Sequence, residues 1–381
     1  MRAVRNAMFL GSALALAACG GAEMDQAAEA DVGQLGAPLH QAAPGLRIDG
    51  DYIVKVKEGA SARAVAAIAG VSPRFEYSII NGFAASLNKG QLTALRQNAD
   101  VEYIEEDAVV QADATQSGAT WGLDRIDQRA LPLNGTYNYT TTASTVTAYI
   151  IDTGLQANHS DFGGRAANVF DAFGGTGADC QGHGTHVGGT VGGTVYGVAK
   201  GVKLRGLRVL DCSGSGSNSG VIAGMDWVRN NAVKPAVANM SLGGGFSSTV
   251  NASANSLADS GVFLAVAAGN NSGADACNYS PASAASATTV GSTASTDARS
   301  SFSNIGSCVD IFAPGSSITS ARLNGTSTTM SGTSMASPHV AGVGALYKGT
   351  YGDAASSTVD SWLKTNATSL SYGKLLFKGS L

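Results

Sequence analysis

Charge is scarce in this chain. Only 14% of its 381 residues are Asp, Glu, Lys or Arg, where about 25% is ordinary. The balance is slightly acidic, net −4, and the basic excess that a nucleic-acid binder needs is absent. After residue 113 there is no glutamate, and the 14 acids there are all aspartate. That excludes H-E-x-x-H zinc peptidases and glutamate-based glycosidases from the larger part of the chain. Proline is rare, with 8 residues, and the glycines keep no period of three, so a collagen-like rod is excluded. Neither C-x-x-C nor the histidine spacing of a structural zinc site is present. No apolar run is long enough to span a bilayer. What is abundant is glycine, 50 residues, about 13% against a usual ~7%. With 44% hydrophobic residues the chain can bury a sizeable core, which excludes global disorder.

The first residues read as an export leader. Arg2 and Arg5 give a basic start, and Ala7 to Ala18 is apolar or small apart from Ser12. A stretch of about 12 residues is too short for a membrane span and fits a signal-peptide core. It closes on Leu16-Ala17-Ala18-Cys19, which resembles the lipobox of bacterial lipoproteins, where the cysteine is acylated. The other reading is a plain secretory signal with an incidental cysteine. Residues 1–19 are expected to be the signal peptide. Residues 20–49, rich in Ala, Gly, Gln, Pro and acids, are expected to be a flexible tether. The five cysteines, Cys19, Cys180, Cys212, Cys277 and Cys308, agree with export. With Cys19 taken by lipid, an even four remain for an oxidising compartment, and spacing alone leaves all three connectivities open.

Residues 50–113 read as a small α/β module. Tyr52 to Val56 predicts a strand, and Ser61 is placed to cap a helix through Ile68. Asn88 with Gln91 three residues on has capping-box spacing, and Leu92 and Leu95 share one face of the helix that follows. Val101 to Val110 reads as a last strand. The order β-α-β-β-α-β suggests a ferredoxin-like sandwich. A module of about 60 residues is small for independent stability, so a partner is expected.

From Ala114 to Leu381 the texture changes. The first 113 residues hold 14 acids and 9 bases, the rest 14 acids and 15 bases. Thr145 to Ile151, Val202 to Leu210, Ala236 to Leu242 and Val262 to Ala267 read as strands, and Ser219 to Arg229 as a helix. Near-continuous apolar runs fit strands buried on both faces of a parallel sheet. In such sheets ligands sit beyond the carboxyl ends of the strands. The residues just after these runs are Asp152, Asp211, Ser241 to Gly245, and Gly269 to Asn271.

A hydrolytic nucleophile needs a serine, a base, and a carboxylate that orients the base. Three Gly-flanked settings offer them: Asp152-Thr153-Gly154, Gly182-His183-Gly184-Thr185-His186, and Gly332-Thr333-Ser334-Met335-Ala336-Ser337-Pro338-His339. The last opens an apolar helix to Tyr347, and a serine there has a backbone N–H and a helix dipole suited to an oxyanion. The second glycine of a G-x-S-x-G elbow is missing, and the chain order is Asp, His, Ser.

With Ala267-Ala268-Gly269-Asn270, Trp121 to Gln128 and Ser301-Phe302-Ser303-Asn304 added, these motifs resemble the subtilisin-like serine proteases. The likeness is to the proteinase K branch and its bacterial aqualysin type, over nearly all of 114–381. Residues 50–113 resemble the inhibitor-type propeptide of the same family. The resemblance implies a three-layer α/β domain with a mainly parallel central sheet, preceded by a small ferredoxin-like α+β propeptide.

It also implies roles. Ser334 would be the nucleophile, His183 the general base, Asp152 its orienting carboxylate, and Asn270 an oxyanion donor beside the Ser334 N–H. His186, His339 and Asn271 would be structural. Gly214-Ser215-Gly216 and Ser241-Leu242-Gly243 would flank an extended substrate, and Ala267-Ala268-Gly269 would wall the primary pocket. No acid sits in these segments, which implies broad specificity for polypeptides, leaning to apolar or aromatic residues before the cut. Cys180 would pair with Cys212, and Cys277 with Cys308. Structural calcium is implied twice: at Asp310 with the carbonyls of Ala285 and Ala287, and at Asp124, Asp127 and Gln128. No catalytic metal is implied. One departure is Gly188, where the family usually has alanine.

The sequence thus predicts a secreted serine endopeptidase made as a self-processed zymogen, its propeptide acting as intramolecular inhibitor and folding aid. Cleavage is expected near Asp113 and Ala114, a mature monomer is expected, and lipid on Cys19 would stay with the precursor. The competing class is a non-catalytic pseudoprotease that only binds peptides; a related acyl hydrolase or ligase is a third.

Overall fold

Thr147–Asp152, Ala236–Met240 and Phe263–Ala267 are buried at every position. Their alternate side chains feed two different cores. Ala148, Ile150, Val237, Phe263 and Ala265 join one apolar cluster, and Tyr149, Ile151, Ala238, Met240, Leu264 and Val266 another. Strands of this kind need cover on both faces, which helical crossovers between parallel strands supply.

The computed structural model describes residues 36–42, 47–109 and 114–381. They fall into two compact units, one within 36–107 and one spanning 108–381. The leader, most of the tether, Cys19 and Asp113 lie outside the described residues.

The larger unit is built on a sheet with nine strands among the described residues. In chain order they are β1 (Thr147–Asp152), β2 (Ala166–Asp171), β3 (Lys203–Arg208), β4 (Ala236–Met240), β5 (Phe263–Ala267), β6 (Thr288–Thr293), β7 (Ile311–Pro314), β8 (Thr368–Leu370) and β9 (Gly373–Leu375). Their spatial order is β8-β9-β7-β6-β5-β4-β1-β3-β2. Every pairing is parallel except the closing hairpin of β8 and β9. Helices α1 (His183–Gly192), α4 (Thr333–Tyr351) and α5 (Ser356–Asn366) bury Val187, Val340 and Leu363 in the first core. Helices α2 (Asn218–Asn231) and α3 (Ser248–Asp259) bury Met225 and Leu257 in the second. The result is helix, sheet, helix: the expected three layers.

The expected strands and α2 lie within a few residues of their observed bounds. Ser217 caps α2, its hydroxyl accepting from Gly220 N at 3.1 Å. Helix α4 runs past Tyr347 to Tyr351. Its last turn is held by buried Lys348, which donates to the Gly261 carbonyl at 2.6 Å and to Asp353 at 3.0 Å. Strands β8 and β9 and the hairpin of Ile318–Ala321 with Ser327–Met330 were not expected.

The smaller unit has the expected β-α-β-β-α-β order, with helices Ala62–Ile68 and Lys89–Gln97. Ser61 caps the first, and Asn88 and Gln91 close both bonds of a capping box, at 2.9 and 3.0 Å. Val54, Val56, Phe83, Leu95 and Ile104 form its core. A fifth strand, Leu39–His40, adds parallel to Val101–Ala108. Two residues carry no periodicity, so sequence pattern could not reveal it. Among the described residues no helix is long and apolar enough to cross a membrane.

Candidate active site

Because β1, β4 and β5 are parallel neighbours, their carboxyl ends lie on one edge of the sheet. Asp152 ends β1, Ser241 follows β4, and Ala268 to Asn270 follow β5. The sheet alone therefore gathers three separated motifs.

Asp152 is fully buried. Its Oδ1 accepts from Thr153 N and from His183 Nδ1, both at 2.7 Å, while its Oδ2 has no hydrogen-bond partner. His183 opens α1. The turn before it needs Gly182, at φ +105°, and Gly184 packs so closely that a β-carbon would lie 2.2 Å from the Gly154 carbonyl. Burial works against a charged His183 ring, but the charge and hydrogen bond of Asp152, with a contribution from Asp179, outweigh it and raise its pKa.

Asp179 is a residue that motif reading missed. Its Oδ1 accepts from Thr153 Oγ1 and from the N–H groups of Gln181 and Gly182; its Oδ2 accepts from Thr185 N and Oγ1. Thr153 Oγ1 in turn accepts from Gly184 N at 2.9 Å. One buried carboxylate thus clasps the turn after Asp152 to the helix that carries His183. Asp179 lies four residues before His183, but the signal in sequence was only a lone aspartate.

Ser334 is the second residue of α4. Pro338, four residues on, has no N–H to give the Ser334 carbonyl. Ser241 Oγ donates to that carbonyl instead, at 2.7 Å, and Ser334 Oγ donates back to the Ser241 carbonyl at 3.1 Å. The Ser334 hydroxyl is therefore turned to Ser241 rather than to His183. Asn239 and Ser337 extend the network, with Asn239 accepting from Ser337 Oγ at 2.7 Å and donating to Ser241 Oγ at 2.9 Å.

Asn270 is held by its oxygen. Oδ1 accepts from Thr333 N at 2.8 Å and from Thr333 Oγ1 at 3.0 Å. A methyl group built on Gly332 would lie 3.5 Å from Asn270 Nδ2 and 3.6 Å from Ser334 N. The two nitrogens thus lie beside one point. Asn304, quoted above only as part of a motif, secures this loop: it donates to the Ala268 carbonyl at 2.9 Å and accepts from Asn271 N at 2.8 Å.

Two cavities flank these groups. One of about 520 Å³ is lined by His183, Gly214, Ser215, Gly216, Ser241 and Leu242, among others. The other, about 260 Å³, is lined by Gly243, Ala267, Ala268, Gly269, Asn270 and Ser334, and by no charged residue. Asp211 shapes the wall of the first, accepting from Ser213 and Ser215 N–H groups at 2.8 and 3.0 Å. The disulfide Cys180–Cys212 ties the segment before His183 to this wall, and Cys277–Cys308 closes the second loop. With separations of 32 and 31 residues, each stabilises by about 3–4 kcal/mol in the chain-entropy picture.

His186 and His339 are buried and are not among the residues lining either cavity. His186 Nε2 bonds the Ile318 carbonyl at 3.1 Å, and His339 Nδ1 the Met335 carbonyl at 2.9 Å. Burial lowers both to about 4.

The two expected calcium sets differ in fit. Among the described residues no cluster of three or more His, Cys, Asp or Glu is placed to hold a metal. At the second set, Asp124 accepts from Asn134 N and Gly135 N, and Asp127 Oδ2 from Asn138, while Asp127 Oδ1 is buried without a partner. Burial raises the Asp127 pKa. That orphaned oxygen fits a cation. Gln128 points its amide nitrogen to the Pro132 carbonyl at 2.8 Å. At the first set both Asp310 oxygens already have donors, Lys364 at 3.0 Å and Thr289 N at 2.8 Å. It does not fit a further cation.

Comparison with known proteins bears on the family and the fold. The family model "Peptidase S8, subtilase family" matches residues 143–378, and "Peptidase inhibitor I9" matches 51–113. The chain is 57% identical over 281 residues to alkaline serine exoprotease A of Vibrio alginolyticus, covering 72% of this chain and 52% of that protein. It thus spans about half the length of that relative. It is 54% identical over 293 residues to an extracellular serine proteinase of Thermus sp. (strain Rt41A), covering 76% of this chain and 71% of that one. A crystal structure of a cold-adapted subtilisin-like serine proteinase superposes with a TM-score of 0.67 at 53% identity, covering 70% of this chain and 99% of the other. On its sheet, its motifs and these matches, the chain belongs to the subtilase family of serine peptidases, with an I9-type inhibitor segment ahead of the peptidase fold.

Proposed function

We propose that the chain is an exported serine endopeptidase that works through Asp152, His183 and Ser334. The observation that carries this is the pairing of two half-sites. On one side, buried Asp152 grips His183 at 2.7 Å. On the other, Asn270 Nδ2 and Ser334 N lie beside one point at the start of a 19-residue helix. Turning about χ1, the Ser334 hydroxyl leaves the Ser241 carbonyl for His183 Nε2, which takes its proton as the oxygen attacks the scissile carbonyl. Asp152 keeps the tautomer and stabilises the imidazolium. Charge developing on the carbonyl oxygen is met by the two N–H donors. His183 then protonates the leaving amine, and water releases the acyl group by the reverse sequence.

An extended polypeptide offers backbone groups to Gly214–Gly216 and Ser241–Gly243 as an added strand. The uncharged lining of the smaller cavity supports an apolar or aromatic residue before the cut. The I9 match supports an intramolecular inhibitor and self-processing near Ala114. The names of the relatives, one of them extracellular, support export. If Cys19 carries lipid, this cut frees the enzyme and leaves the lipid on the propeptide. The orphaned Asp127 oxygen supports a structural calcium near the start of the mature unit; when bound there it would supply charge balance and rigidity, not chemistry.

Ser334→Ala tests the assignment. The variant should accumulate as unprocessed precursor, lose casein hydrolysis and fail to react with a fluorophosphonate probe. Normal processing and activity in it would refute the nucleophile. Mature enzyme retained in the membrane fraction would refute lipid-free release.

A further inference from the structure

The resemblance places a calcium ion at Asp310 with the carbonyls of Ala285 and Ala287. These three residues line a cavity of about 300 Å³, and Lys364 of α5 lines it as well. The lysine ammonium donates to Asp310 Oδ1 at 3.0 Å and pairs with Asp360 Oδ2 at 2.6 Å. The remaining oxygens of both carboxylates are engaged too. Asp310 Oδ2 accepts from Thr289 N at 2.8 Å, and Asp360 Oδ1 from Thr288 Oγ1 at 2.9 Å.

The arrangement has a local cause. Asp360 and Lys364 are four residues apart on one helix, so their side chains meet one turn on. The helix therefore holds the ammonium between its own acid and the acid that precedes β7. Calcium asks for roughly six to eight oxygens with free lone pairs, about 2.3–2.6 Å from the ion. At Asp310 it would have to displace an ammonium already in place, against like-charge repulsion.

We propose that the Lys364 ammonium is the resident cation of the Asp310 cavity, a tethered charge in the position that the resemblance gives to calcium. It joins α5 to the start of β6 and β7 without a metal. The cavity then holds its form in a chelator and loosens when the lysine is neutralised.

The test counts calcium bound by the full chain, carrying Ser334→Ala to prevent self-digestion, in equilibrium dialysis against calcium chloride. Adding Asp310→Asn while Lys364 is intact should leave the number of bound ions unchanged. Lys364→Met should raise that number by one and widen the gap between melting temperatures in calcium and in EDTA. Combining Lys364→Met with Asp310→Asn should abolish the gain. Loss of one ion on Asp310→Asn alone overturns the proposal, and so does a Lys364→Met chain that gains none. If the methionine variant fails to fold, Lys364→Gln, which keeps the side chain polar, is read in the same way.

Discussion

Three histidines lie in the two motifs of the larger unit, and two regions treat them in opposite ways. At the cleft, His183 meets a buried carboxylate and its pKa is raised, against burial, by Asp152. In the interior between α1 and α4, His186 and His339 meet only backbone carbonyls and a neighbouring ring, and burial lowers both to about 4. All three rings are substantially buried. The difference is the Asp152 carboxylate, which holds the pKa of one ring up while burial holds the other two down.

The strongest way to break this contrast is to delete the rings in turn. His183→Ala should lower kcat by roughly 10⁶ while leaving the melting temperature near that of the parent. His339→Ala should do the reverse, destabilising by about 2–4 kcal/mol with kcat per folded molecule largely kept. A His339 variant that folds normally but is inactive would end the distinction. Asn270→Ala comes next. Loss of the corresponding donor in a subtilisin costs roughly 10²–10³ in kcat, and here KM should change little, because the oxygen it serves becomes charged only in the transition state.

The pH profiles should diverge as well. As the proposed base, His183 would have to be neutral, so kcat/KM should rise with an apparent pKa above 6.5. His186 and His339 bind fewer protons folded than unfolded between pH 6.5 and about 4. Their contribution is complete above pH 6.5 and is lost as pH falls through that window, by about 3 kcal/mol per ring. Chemical denaturation at pH 7 and pH 4.5, in the Ser334→Ala chain, checks this; equal stability would contradict it.

The smallest effects lie in α1 itself. At Gly189 a β-carbon would meet Ser320 Oγ at 2.4 Å and Ala321 N at 2.9 Å. At Gly188 the nearest atom is the end of the Leu155 side chain at 2.7 Å. Gly189→Ala should therefore cost about 1–3 kcal/mol. Gly188→Ala should fall within about 1 kcal/mol of neutral, the gain in helix propensity offsetting the shift of Leu155. Thermal melts of the two variants give the comparison.

What could be read from sequence followed distance along the chain. Asp152, His183 and Ser334 announce themselves because each stands in a short glycine-flanked motif after a strand or before a helix. The two capped helices of the smaller unit were legible for the same reason. Asp179, Asn304 and Lys364 were not, because the role of each turns on a partner, Thr153, Ala268 or Asp310, that only the fold brings near. Lys364 looked like any helical lysine until Asp310, 54 positions away, arrived beside it. The Leu39–His40 strand and the β8–β9 hairpin are too short to carry a period. The extra turn of α4 rests on a buried lysine, which composition rules place outside.

The reciprocal bonds between Ser241 and Ser334 bear on timing. On the proposed reading, engaging His183 would break the bond from the Ser334 hydroxyl to the Ser241 carbonyl. The bond from Ser241 to the Ser334 carbonyl, required by Pro338, stays closed. If Ser334 is the nucleophile, as proposed, freeing its hydroxyl asks for the loss of one hydrogen bond, about 0.5–1.5 kcal/mol, with the bond to its carbonyl kept. Side-chain rotamer changes of this kind take picoseconds to nanoseconds. On the proposed reading, the resting serine faces Ser241, and its release is expected to be faster than the chemical steps of a turnover.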